Sequence, residues 1–304
     1  MVDISKITTE LRNDNTKNID LVTTREMLGM INEEDKKVPL AVEKAIPQIA
    51  RVVNVVTKAF RNDGRLFYIG AGTSGRLGVL DASEIPPTFG VDDSMVIGII
   101  AGGDYALRHA IEGAEDSKAI GADDLKSYDL CDTDVVIGIA ASGRTPYVLG
   151  GLEYANKIGA ATGCITTSND SEVAKAAKYP IEAITGPEPL TGSTRMKSGT
   201  AQKLILNMIT TTAMVKLGKV YENLMIDVQM ANAKLVSRAK NIVMEATGVN
   251  FDEAEAYLKR FGSVKLAIFA ILSGIEEREE IEMILEKHKG NIRESLKSLE
   301  NKKN

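Results

Sequence analysis

Apolar positions in the first fifth of the chain recur at helical spacing. From Thr23, the residues Met27, Leu28 and Ile31 lie three to four apart. From Val38 to Asn62 the same spacing links Val42, Ile46, Ile49, Val52, Val53, Val56 and Phe60. Two helices are predicted. Thr24 marks the start of the first; Pro39 near the first turn and Asn62-Asp63-Gly64 at the end bound the second. Residues 1–20 are polar and are expected to be irregular or extended.

Beyond Gly64 the period changes. Short, nearly continuous apolar runs occur at 66–69, 95–100, 134–140 and 162–166, with a weaker one at 181–184. Unbroken apolar runs suit strands covered on both faces. Helical patterns alternate with them at 75–84, 105–120, 146–158 and 171–178, the first expected to stop at Pro86-Pro87. This alternation predicts an α/β fold: a five-stranded parallel sheet, doubly wound and flanked by helices. After Gly186-Pro187-Glu188-Pro189, the segment LTGSTRMKSGT opens a long helix to about Leu217. A further helix is expected over 223–247, with Val228, Ala231, Leu235 and Val236 on one face and Gly248 at its end. Four short helices are expected at 252–260, 263–272, 276–287 and 292–299. The chain thus divides into N-terminal helices at 1–55, a ligand-binding domain at 56–219, a linking helix at 220–248 and a small helical domain at 249–304.

Composition narrows the function. The net charge of −5 and the absence of a concentrated basic face argue against nucleic-acid binding. With no Trp and 5% aromatic residues, stacking is a poor basis for a ligand site. Cys131 and Cys164 are too few for a disulfide scaffold, and each is expected to be a buried thiol. No run approaches the roughly 18 apolar residues of a membrane span, and the polar start has no leader-like core. A cytoplasmic location is expected.

Ligands of such sheets collect beyond the carboxyl ends of the strands, so those ends carry the chemistry. They read GAGTSG, AGGD, ASGRT and TTSND. Gly70-Ala71-Gly72-Thr73-Ser74-Gly75 matches GxGxxG between a strand and a helix, which first suggests a dinucleotide. Thr73 and Ser74 change that reading, because backbone amides plus two hydroxyls suit the free oxygens of a phosphate monoester. The first acidic residue near the end of the second strand, Asp104, also lies 34 positions after Gly70, too far for a ribose contact at the usual spacing of about 20. Ser142, Gly143 and Thr145 repeat the pattern after the third strand. Thr145 also reads as an N-cap before Pro146. Ser193 and Thr194 open a third hydroxyl-rich helix start, where Arg195 or Lys197 could meet a carboxylate. Glu84, by spacing alone, is an exposed helix-end charge. His109, Glu112 and Glu115 are three apart on the 105–120 helix, which hints at metal ligands but reads better as solvated charge. No metal is expected. Two carboxylates beside a phosphate cradle fit proton transfer next to a sugar carbonyl.

Four blocks carry a resemblance: TTELRNDNTKNID at 8–20, INEEDKKVPLAVE at 31–43, GAGTSGRLGVLDASEIPPTFG at 70–90 and LTGSTRMKSGTAQKLILNM at 190–208. The chain resembles the N-acetylmuramic acid 6-phosphate etherase family, bacterial enzymes of peptidoglycan recycling built on a sugar isomerase (SIS) domain. The resemblance implies cleavage of the C3 D-lactyl ether of an amino-sugar phosphate, with Glu84 as the acid at the ether oxygen and Glu115, in the further matching block GGDYALRHAIEGAED at 102–116, as the base at C2. Glu112 is the competitor for the base that spacing leaves open. It further implies a homodimer, no cofactor, and a C-terminal unit similar to a ubiquitin-associated three-helix domain. Two rivals share the fold: an aldose–ketose isomerase, and a sugar-phosphate-sensing regulator resembling the glucokinase regulatory protein.

Overall fold

A capping box starts the first helix: Thr23 accepts from the Glu26 N–H while Glu26 accepts from Thr23. In the computed structural model, which describes residues 8–227 and 233–303, this helix is α1 (Thr24–Asp35). Among the described residues three single 3₁₀ turns precede it, as an irregular stretch at 8–20 would have; residues 1–7 of the polar start lie outside the described residues. Helix α2 (Lys37–Phe60) follows and buries Val42, Ile49, Val52, Val53 and Val56 along one stripe.

The β-α alternation holds. The elements are β1 (Leu66–Gly70), α3 (Gly72–Phe89), β2 (Val96–Ile100), α4 (Tyr105–Arg108), α5 (Lys118–Ser127), β3 (Val135–Ile139), α6 (Pro146–Ile158), β4 (Ala161–Thr166), α7 (Glu172–Ala176), β5 (Tyr179–Glu182) and α8 (Lys197–Lys216). The five strands form one all-parallel sheet in the order β2-β1-β3-β4-β5. Phe67, Ile69, Val136 and Cys164 bury one face against α5, α6 and α7. On the other face, Tyr68 and Ile139 lie under Gly78 of α3, and Ile137 and Gly163 lie near Val52 of α2. The sheet is therefore wound on both sides.

Among the described residues the chain forms two compact units. One holds everything up to Ser83 together with Asp93–Thr210. The other holds Glu84–Asp92 and the residues from Thr211 onward. The second contains a two-strand hairpin, β6 (Val220–Tyr221) and β7 (Leu224–Met225), then α9 (Ala233–Thr247), α10 (Phe251–Phe261), α11 (Val264–Ser273), α12 (Arg278–Lys287) and α13 (Ile292–Lys303). Val243, Phe261, Phe269, Ile281 and Leu285 form its core.

Several expectations are corrected. Helix α3 runs through Pro86 and Pro87 to Phe89, with Ile85 and Phe89 buried beside them; Gly90, at φ 60°, stops it. The 105–120 helix is broken. Only Tyr105–Arg108 is helical, Gly113 adopts φ 77°, and a new helix starts from a Ser117 cap. The fifth strand lies two residues earlier than its apolar run. The 223–247 helix gives way at its start to the hairpin, turned at Glu222 with φ 54°; Val228 and Ala231 lie outside the described residues. Cys131 is exposed in the loop before β3, whereas Cys164, inside β4, is buried and its thiol is pushed up to about 12 by that burial. Past residue 249 there are four helices, one more than the three-helix resemblance implies.

Helices α5 and α6 meet through glycines. A Cβ on Gly121 would sit 2.0 Å from the Tyr147 carbonyl oxygen, and one on Gly150 would sit 1.9 Å from that of Lys118. Backbone cannot yield as a side-chain tip can, so Gly150→Ala should destabilise the protein by about 2 kcal/mol or more. Urea unfolding checks this.

Candidate active site

The strand order sets the site. From β1 the chain crosses to β2 on one side, and from β2 it returns to β3 on the other. The sheet's switch point therefore lies between β1 and β3. The loops that follow these two strands, GAGTSG and ASGRT, are brought side by side.

At the first loop the chain turns directly from strand into helix. A Cβ on Gly70 would lie 2.8 Å from the Gly75 nitrogen, and Gly72 has φ 51°. The turn presents Thr73 and Ser74 in the first turn of α3, where helix N–H groups have no intrahelical partner. At the second loop Gly143 has φ 67°, and a Cβ there would lie 2.2 Å from Ser171 Cβ. Ser142 is half-buried beside it. Thr145 takes the N-cap position of α6 with Pro146 behind it, but its hydroxyl makes no capping bond. The cap reading is thus right for the backbone and wrong for the side chain.

The third hydroxyl-rich segment joins the other two. Ser74 Oγ donates to Gln202 Oε1 (3.0 Å) and Thr167 Oγ1 to Ser198 Oγ (2.9 Å), tying α8 to the ends of β1 and β4. The hydroxyls of Thr166 and Thr167 both donate to the Ala141 carbonyl at the end of β3. Ser193 and Thr194 are half-buried in the turn before α8, and Arg195 is exposed there. Buried polar atoms without a protein partner gather at this edge: Ser168 Oγ, Thr185 Oγ1 and Gln202 Nε2. Such groups suit a polar ligand, because leaving them unpaired costs about 1–3 kcal/mol each. Gln202, Thr167 and Ser198 were not among the expected ligands. The TTSND run pointed to Thr167, but nothing around Gln202 separates it from an ordinary helix amide.

Lys197 is corrected. It is 1% exposed and its ammonium donates to Glu34 Oε2 (2.8 Å) and the Pro187 carbonyl (3.0 Å). It belongs to a buried support beneath α8, not to a carboxylate receptor at the surface. Glu188, fully buried, accepts from the backbone N–H groups of Lys197 and Ser198 and so caps α8. Glu34 also accepts from Asn15 and Lys37. Burial alone would raise its carboxyl, but the bonds from Lys197, Lys37 and Asn15 outweigh that and hold it down to about 2.

A cavity of about 140 Å³ opens beside the first loop. Its wall includes Gly72, Arg76, His109 and Glu115 among alanine methyls. Glu115 is exposed, and its carbonyl takes the Tyr147 N–H (2.9 Å), which pins it to the first turn of α6. Glu112 does not line the cavity, and with the helix broken it no longer shares a face with Glu115 and His109. His109 stacks on Tyr105 at 4.1 Å. Among the described residues no three His, Cys, Asp or Glu side chains gather as a metal site needs. Glu84 is exposed on α3, about three turns beyond Gly72, and is not in the cavity wall.

Residues 48–156 match the glucokinase regulatory protein N-terminal SIS domain family and residues 122–212 the SIS domain family. Over 299 residues, 98% of this chain and 99% of the relative, the sequence is 57% identical to an N-acetylmuramic acid 6-phosphate etherase of Clostridium botulinum (strain Loch Maree / Type A3). It is 54% identical over 302 residues to one of Clostridium beijerinckii, covering 99% of each.

The chain belongs to the N-acetylmuramic acid 6-phosphate etherase family.

Among solved structures, a phosphoheptose isomerase from Neisseria gonorrhoeae is similar at a TM-score of 0.47 and 15% identity, over 62% of this chain and 98% of that one. In this etherase-family chain the blocks at 8–20 and 31–43 now have a physical role. Asn13 and Thr16 donate to the Pro187 and Pro189 carbonyls, and Glu34 holds Lys197. They brace the start of α8 from below.

Glu34 prefers its charged form more in the folded chain than at its ordinary 4.5. Its contribution to stability is therefore complete above about pH 4.5 and is lost as pH falls towards 2. Urea midpoints should drop over that window, and Glu34→Gln, weaker at neutral pH, should lose less of its midpoint there. An equal fall in both proteins would contradict the assignment. Lys197→Met, which leaves Glu34 and the Pro187 carbonyl without their buried cation, should cost about 3 kcal/mol.

Proposed function

We propose that this chain cleaves the C3 D-lactyl ether of N-acetylmuramic acid 6-phosphate, giving N-acetylglucosamine 6-phosphate and D-lactate. It is then a carbon–oxygen lyase of cell-wall sugar recycling. The observation that carries the reading is identity of 54–57% over nearly the whole chain to proteins of that name. The hydroxyl cradle at the carboxyl edge of the sheet fits the 6-phosphate.

The chemistry follows from the substrate. In the ring-opened sugar the C1 aldehyde acidifies the C2 proton. Glu115 removes it, the lactyl oxygen leaves C3 as Glu84 protonates it, and water adds back to the unsaturated aldehyde. The position of Glu115 in the cavity wall next to the cradle favours it over Glu112 as base. Gly72, Thr73, Ser74, Ser142, Gly143, Thr145, Ser193 and Thr194 hold the phosphate and sugar hydroxyls, with Gln202 added to them because its amide pairs with Ser74 and leaves one end unpaired. We also place the enzyme in the cytoplasm as a homodimer. Among the described residues no helix is long and apolar enough to cross a membrane.

The isomerase rival needs a base but no acid for a leaving group. Incubation with N-acetylmuramic acid 6-phosphate should release D-lactate; well-folded protein that releases none sinks the reading. Glu115→Ala should abolish solvent-deuterium exchange at C2 and lower kcat by about 10³-fold. Glu84→Ala should keep some exchange while losing ether cleavage. Exchange surviving in Glu115→Ala would move the base elsewhere. For the cradle, Ser74→Ala should raise KM about 10-fold or more, as removal of a hydrogen bond to a charged group does; an unchanged KM would make GAGTSG a structural turn only.

A further inference from the structure

We propose that Arg76 is the receptor for the lactyl carboxylate, and that the cavity beside Glu115 is the pocket for the lactyl group. The proposal rests on the etherase reading and deepens it.

Arg76 is held from behind. Its Nε donates to the Leu107 carbonyl (2.9 Å) and its Nη2 to those of Ala106 (2.7 Å) and His109 (3.5 Å). These bonds neutralise no charge. Among the described residues no carboxylate pairs with Arg76, and its Nη1 group donates to none. The other half-buried arginines at the sheet differ: Arg65 meets Asp134 at 2.8 Å, and Arg144, its counterpart in the second SGR tripeptide, lies 4.0 Å from Glu172. A guanidinium fixed in orientation, with donors in hand and no carboxylate bonded to it, is set up for an anionic ligand.

The cavity decides which anion. At about 140 Å³ it falls below the ~300 Å³ lower end of pockets that enclose a whole ligand, so it takes a substituent. Ala71, Ala101, Ala106, Ala110 and Ala114 supply methyl walls around the single cation. The lactyl group matches in kind, being one methyl and one carboxylate on a single carbon. Placement agrees as well. C3, which bears the lactyl ether, is bonded to C2, from which the base takes its proton, and Glu115 lines the same cavity as Arg76. Substrate seated with its carboxylate on Arg76 has its C2 side towards Glu115. Lys197 cannot serve, since its ammonium is buried against Glu34.

The test compares two substrates and one product. N-acetylmuramic acid 6-phosphate and its lactyl carboxamide, which is neutral, are assayed for ether cleavage. N-acetylglucosamine 6-phosphate, which keeps the phosphate and lacks the lactyl group, is assayed as an inhibitor. Wild type should favour the carboxylate over the carboxamide by about 10- to 100-fold in kcat/KM. Arg76→Gln should lose that preference and raise KM for the acid by a similar factor, with inhibition by N-acetylglucosamine 6-phosphate changed less than about twofold. A preference that survives in Arg76→Gln, or product inhibition that weakens in parallel, overturns the proposal and leaves Arg76 as a phosphate contact or a brace for the 106–109 turn. If Arg76→Gln does not fold, Arg76→Lys decides. It keeps the charge but loses the two-pronged geometry, so a preference cut about fivefold supports the assignment and an unchanged one overturns it. Failure of the etherase reading looks different: wild type then releases neither D-lactate from the acid nor D-lactamide from the carboxamide.

Discussion

The buried pair between Glu34 and Lys197 fixes the segment on which the candidate site depends. Lys197 is the first residue of α8, and the two N–H groups at that start rest on the buried Glu188 carboxylate. Three charges are thus withdrawn from water within one turn. Such an arrangement contributes little net stability, because the cost of desolvating each charge offsets most of the attraction. What it supplies is position. With Asn13 and Thr16 bonded to the 187–189 backbone, the start of α8 has one place to sit, and Ser198 and Gln202 meet Thr167 and Ser74 from there.

Above that support the site is built from close approaches that only glycine allows. Gly70 and Gly72 turn β1 into α3 without an intervening loop, and Gly143 lets the third strand end pass under Ser171. Strand order then places both turns at the one point where the order of the strands reverses, between β1 and β3. The result is a ring of hydroxyls and amide donors on rigid elements. Rigid placement suits a phosphate that is held through a reaction, and the proposed reading gives the cavity wall with Glu115 and Arg76 to the part of the substrate that changes.

Where local pattern and tertiary context agreed, the fold was legible. The stripe on α2 and the apolar runs of β1 to β4 allow only a core-facing helix and strands covered on both sides. Where they conflicted, pattern misled. Pro86 and Pro87 argue for a stop, since each lacks a backbone N–H and crowds the carbonyl four residues before it, yet α3 continues past them with Ile85 and Phe89 buried. The charges at 108–116 have helical spacing, yet the helix stops at Arg108 where His109 turns extended, Gly113 follows in the left-handed region, and Glu115 lines the cavity while Glu112 does not.

From sequence alone came the parallel sheet, the three hydroxyl-rich strand and helix ends, and, through the family resemblance at 70–90 and 102–116, the candidate pair Glu84 and Glu115. These depend on short-range patterns: periodicity, glycine placement and contiguous motifs. The roles of the cations were decided only by the tertiary structure. Arg195, Lys197 and Arg76 are alike as letters, each a positive charge near a phosphate loop. Folding buries Lys197 against a glutamate 163 residues away, leaves Arg195 exposed, and sets Arg76 on backbone carbonyls with no acid bonded to it. A charge acts according to the partner that faces it, and partners so distant in sequence leave no mark in the pattern around it.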